Sequence, residues 1–131
     1  MNEPDITGVW EVIIEDAPFR YHVMTFHADG TMLQSNPDLG NRTTSDSNGM
    51  GTWRADGTHV SGAFVEFTVD RRFRESIGKG IVRFALDVDG DTFAGSASAT
   101  FYDLSGAPRG GPSTSRMTGR RFDALSLPPQ P

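Results

Sequence analysis

The chain has no cysteine, so no disulfide staples the fold and no thiolate is available to hold a metal. Cysteine-free composition also points to the cytoplasm as the expected compartment. No stretch approaches the ~20 apolar residues of a membrane-crossing helix, and Met1-Asn2-Glu3-Pro4-Asp5 lacks the basic and apolar regions of a secretion signal. Basic residues are in the minority, 12 against 17 acidic, for a net charge of -5. That balance offers no electrostatic footprint for nucleic acid or an anionic membrane, so neither is expected as a partner. Histidine is scarce: His22, His27 and His59 share no i, i+2 spacing on a strand, and no metal site is expected. A helical period is also missing, and the charged run from Asp70 to Glu75 forms at most one turn.

Turn formers are abundant. Fifteen Gly and eight Pro in 131 residues break the chain into short elements, and a chain of this length buries roughly two thirds of its unfolded surface as one domain. β-Branched and aromatic residues cluster into eight expected strands: Gly8 to Glu15, Phe19 to His27, Thr31 to Ser35, Gly49 to Arg54, His59 to Val69, Gly80 to Val88, Thr92 to Tyr102 and Ser115 to Phe122. The domain is expected to span 7–124, with a flexible N-terminus at 1–6 and a Pro-rich flexible tail at 125–131.

The connections alternate in kind. Strands two and three, four and five, and six and seven are joined by Asp29-Gly30, Asp56-Gly57 and Asp89-Gly90-Asp91. These are tight hairpin turns, because Gly supplies the positive φ they demand. The intervening connections include long polar stretches from Asn36 to Asn48 and from Asp103 to Pro112, expected to form a mobile mouth. In an up-and-down meander the two kinds fall at opposite ends. The expected architecture is therefore an all-β, eight-stranded antiparallel up-and-down barrel with one closed and one open end.

Gly8-Val9-Trp10 opens the first strand, and Arg120 and Arg121 close the last. The Gly-x-Trp motif and this layout resemble the lipocalins and their calycin relatives, small bacterial barrels among them. The resemblance implies that Trp10 lies across the closed end against a basic residue from Arg120 or Arg121, and that the lumen holds a small molecule. Some barrels of broadly this type are carriers and others are cofactor-free cyclases, so the fold alone does not assign an activity. Two departures, the missing secretion signal and the missing C-terminal helix, set a role in transport between cells in doubt.

Period-two alternation from Trp10 sends Val12 and Ile14 inward, and on the sixth strand Val82, Phe84 and Leu86. Gly95, Ala97 and Ala99 on the seventh strand either leave space in the lumen or fit tight curvature. On strand two, Arg20, His22, Met24 and Phe26 are favoured as the inward set over Phe19, Tyr21, Val23 and Thr25. On strand five, Val65 and Phe67 form the more apolar face, which places Glu66 in solvent; if Glu66 faces the lumen instead, burial makes it an acid or base. Met24, Trp53, Phe67, Phe84, Phe101 and Met117 are the candidate ligand contacts, and Tyr21, His22 and Glu66 the candidate catalytic groups. The expected function is binding of a small, largely apolar molecule in the lumen by a monomer or homodimer, without a cofactor. The alternative is a cofactor-independent cyclase or isomerase acting on a polyketide-like substrate in the same lumen.

Overall fold

A computed structural model describes residues 5–129 of the chain. Its strands are β1 (Gly8–Ile14), β2 (Tyr21–Phe26), β3 (Thr31–Ser35), β4 (Thr44–Asp46), β5 (Gly49–Asp56), β6 (His59–Asp70), β7 (Ile77–Asp89), β8 (Thr92–Asp103) and β9 (Pro108–Arg121). All pairings are antiparallel. The sheet runs β6-β5-β3-β2-β1-β9-β8-β7, and β6 pairs with β7 to close it. Eight strands thus form the expected closed barrel, and closure leaves none of those eight with a free edge along its length to recruit another chain. The short β4 is an addition: it continues the β5 edge along β6, pairing Thr44 with Asp70 and Asp46 with Thr68.

The three Asp-Gly turns share one end, with Gly57 and Gly90 both at φ 61, the conformation that a side chain would resist. The other end differs from expectation in length. β8 and β9 pair as far as Tyr102 with Pro108, so most of the stretch from Asp103 to Pro112 is hairpin rather than loose loop. The Asn36 to Asn48 stretch is also tied down. Arg71 donates to the carbonyls of Asp38, Asn41 and Thr44 and pairs with the Asp38 carboxylate at 3.0 Å.

One continuous apolar cluster fills the interior from the turn end upward, including Trp10, Val12, Met24, Phe26, Met32, Val60, Phe64, Phe84, Leu86, Phe93 and Met117. Glycines make room for its rings. Phe84 lies over Gly62 on the neighbouring strand and Phe93 over Gly119, and a Cβ at Gly119 would sit 2.2 Å from the Phe93 ring. Trp10 is fully buried at the closed end. Its indole N–H donates to the Ile6 carbonyl at 2.8 Å, and its ring lies 4.9 Å from that of Phe93. The Arg121 guanidinium stacks over the Trp10 ring at 4.4 Å, a favourable cation–π contact, and also bonds the Asp91 carboxylate and the Thr7 carbonyl. Arg120 takes no part: it pairs in register with Glu11 and faces outward, because neighbours along a strand point to opposite faces.

Candidate functional site

The expected inward sets on β1 and β7 are the ones observed, and on β2 His22, Met24 and Phe26 face in, with Trp10, Met24, Phe26, Phe84 and Leu86 all buried. Arg20 instead precedes the strand and is exposed, its guanidinium over the Tyr21 ring. β6 departs from expectation. Phe64 is buried and Glu66 partly buried, whereas Val65 and Phe67 are exposed, Phe67 by 50%. Phe67 therefore does not line the lumen. The reason is the length of the strand. Its register with β7 runs unbroken from His59 opposite Asp87 to Val69 opposite Ile77. Turning Val65 and Phe67 inward would turn His59, Ser61 and Ala63 inward with them, and would expel Val60 and Phe64. The outer wall accommodates Val65 in a row with Leu33, Met50 and Ile81 on adjacent strands.

The other expected contacts divide between floor, core and mouth. Trp53 is a structural element of the floor: its indole N–H is shared by the His27 and Thr31 carbonyls at 3.1 and 3.0 Å, and its ring meets Phe26 edge-on. Met24, Phe84 and Met117 are packed within the core. Phe101 is at the mouth, 39% exposed. Tyr21 is 57% exposed and points out of the barrel, where its ring meets Phe19. With Ile13, Val23, Pro37 and Glu11 it borders an open trough of about 1140 Å³ on the outside of β1 and β2. That concavity is on the wall's outer surface, since Glu11, Ile13, Tyr21, Val23, Thr118 and Arg120, which line it from β1, β2 and β9, share the outward parity.

The open-end interior is built differently from the core below. Around one level of the wall, glycines alternate with side chains: Gln34 pairs with Gly49, Glu66 with Gly80, Gly80 with Phe101, and Phe101 with Gly110. Glu66 follows the pair formed by Met50 and Val65, which sets it beside Gly49. Gln34, Glu66 and Phe101 thus enter the interior from alternate strands. A Cβ on Gly80 would lie 3.1 Å from the Phe101 ring and 3.4 Å from Glu66 Cγ, so the glycine gives both side chains their places. Gln34 was not among the residues singled out from the sequence. The signal was present, because in Thr31-Met32-Leu33-Gln34-Ser35 it shares the inward parity of Met32.

The polar groups here are poorly satisfied. His22 Nδ1 and Gln34 Oε1 are 2.6 Å apart, so Nδ1 carries the shared hydrogen. Gln34 is only 2% exposed, yet its Nε2 has no partner, and neither has His22 Nε2. Such orphaned groups cost about 1–3 kcal/mol each. Burial holds the His22 pKa below its usual value, although the Gln34 contact and the Phe19 backbone oppose this, so the imidazole is neutral at pH 7. Glu66 is pushed up to about 7, first by burial and then by the nearby Asp46 carboxylate. Asp46 itself accepts from Asn41 Nδ2 at 2.8 Å and Thr44 Oγ1 at 2.7 Å.

Compared with protein-family models, curated proteins and solved structures, the chain matches none. Its class therefore rests on its own architecture: a closed, eight-stranded antiparallel barrel, consistent with a calycin-like fold and able to hold a ligand. Among the described residues no helix is long and apolar enough to cross a membrane.

Proposed function

We propose that the barrel binds a small, largely apolar molecule at its open end, above the packed core and against Gln34, Glu66 and Phe101. The observation that carries this reading is the change in the interior along the barrel axis. Below, aromatic rings fill the space over glycines; above, glycines alternate with a buried amide whose N–H group is unpaired and a carboxyl without a hydrogen-bond partner among the described residues. Binding sites of this kind pair apolar walls with a few polar groups that fix orientation.

Titration of the labelled protein with 1-octanol and 2-nonanone, followed by amide chemical shifts, tests the reading. Saturable binding in the micromolar range, about −8 kcal/mol, is expected, with shifts concentrated at Gln34, Gly78, Gly80 and Phe101. Shifts confined to Tyr21, Val23 and Thr118 would move the site to the outer trough and overturn the reading.

One observation favours the cyclase or isomerase alternative: a carboxyl that titrates near neutrality is suited to moving protons. In that case Glu66 and His22 are the catalytic pair, and Tyr21, outside the barrel, has no part. Glu66→Gln is then expected to lower turnover of a linear polyketide-like substrate far more than its binding.

A further inference from the structure

Glu66 is a largely buried carboxyl that forms no ion pair with any described residue. It enters from β6 with Phe101 and Gly80 beside it, and accepts no hydrogen bond from any described residue. Of the described groups around it the nearest cation is Arg109 at the mouth, which is not among the charges acting on Glu66. Asp46 on β4 adds a second negative charge. β7 presents Gly78 and Gly80 inward, while Lys79 has the opposite parity and points out. β8 presents Phe101. On β3 and β2 stand the neutral pair Gln34 and His22. Arg109 on β9 reaches only the mouth, with Nη1 3.9 Å from where a Gly78 Cβ would be. It acts instead on Asp103, a carboxyl held low first by the Ser105 hydroxyl, then by the Ala107 N–H.

We infer that the ligand of this open-end site is an amine, whose ammonium group is taken by Glu66 with Asp46 behind it while its apolar frame rests on Phe101. The argument rests on the reading that the open end binds an apolar molecule, and adds the polar group such a molecule carries. A desolvated carboxylate is stabilised most by an opposite charge brought into contact, because Coulomb attraction strengthens where water is excluded. The same field disfavours a ligand carboxylate. Gln34 independently shows that this level of the interior is incomplete as folded. Its side chain is only 2% exposed, Oε1 is engaged by His22 on β2, and Nε2 has no partner. In register, Gln34 on β3 is level with Gly49 on β5, which adds no side chain, and Glu66 follows at the same level on β6.

The test is calorimetric titration of the whole chain at pH 8 with three probes of one frame: 1-octylamine, 1-octanol and octanoate. At that pH the amine is protonated and Glu66 is mostly ionised. The amine is expected to bind about tenfold tighter than the alcohol, and octanoate weaker than either. Glu66→Gln should bring the amine to within about threefold of the alcohol measured on the same variant, whose far-UV circular dichroism spectrum reports independently that it is folded. Asp46→Asn should remove a smaller part of the preference. Equal binding of amine and alcohol by the unaltered protein, or a preference that survives Glu66→Gln, would overturn the inference and leave the apolar site standing. Failure of the alcohol to bind saturably would instead remove the reading on which the inference depends.

Discussion

The two ends of the barrel interior are made from the same alternation of strands but solve opposite problems. At the closed end, Trp10, Phe26, Trp53, Phe84 and Phe93 have every polar atom engaged: the Trp10 indole on Ile6, the Trp53 indole on His27 and Thr31, and Arg121 on Asp91 and Thr7. At the open end, Gln34, His22 and Glu66 are withdrawn from water without full partners. Glycine serves both ends. Below, it admits a ring from the next strand; above, it separates the polar side chains. The difference teaches that burial in this barrel stabilises at one end and strains at the other, as expected where a scaffold carries a site.

Substitutions should separate the ends sharply. Trp10→Ala is expected to cost roughly 3–5 kcal/mol in denaturant titration, as would Phe64→Ala, since both empty the packed region. Phe67→Ala, two residues along the same strand but on the outer wall, should cost less than about 1 kcal/mol. A larger loss at Phe67 than at Phe64 would reverse the register of β6 and with it the placement of Glu66.

The pH dependence of stability sharpens the contrast at the open end. Glu66 holds its proton in the folded chain up to about pH 7, whereas the unfolded chain releases it near the ordinary carboxylate value. Between these the folded state binds more protons, so stability falls as pH rises, by about 3 kcal/mol in all. Glu66→Gln should abolish that fall. His22 acts with the opposite sign: its lowered pKa means that stability is lost as pH drops below about 6.5. A curve for Glu66→Gln identical to that of the parent would mean that the carboxyl is solvated.

Single methyl groups make the finest comparison. Gly62→Ala would place Cβ 2.3 Å from the Thr52 carbonyl and 2.7 Å from Phe84, and should cost about 1–3 kcal/mol through overpacking. At Gly80 the nearest atom is 3.1 Å away, on the Phe101 ring, and Gly80→Ala should cost under about 1 kcal/mol in thermal unfolding. Equal costs would show that the open end is packed as tightly as the floor.

Much of this fold was legible in the residues. Asp-Gly turns alternating with longer connections define a meander with two unlike ends, and Gly8-Val9-Trp10 with Arg121 marks the closed one. The site was less legible because local hydrophobicity misleads on β6. Val65 and Phe67 form the more apolar pair, yet Val60 and Phe64 set the inward parity through an unbroken ladder of eleven residue pairs with β7. Gln34 escaped notice because only the pairing of β3 with β5 brings it level with Gly49 and near Glu66. The small residues of β8 fit either a roomy lumen or tight curvature by sequence alone. Gly95 answers for curvature, since a Cβ there would stand 2.0 Å from the Ala85 carbonyl of the adjoining strand.

The most direct test of the account follows the Glu66 side-chain carboxyl carbon by NMR across pH, in protein labelled at glutamate and assigned by comparison with Glu66→Gln. An inward-facing, uncompensated carboxyl should titrate at about 7, and its midpoint should fall when 1-octylamine is added. A midpoint near the usual 4.5, unmoved by the amine, would place Glu66 in water and contradict the open-end site.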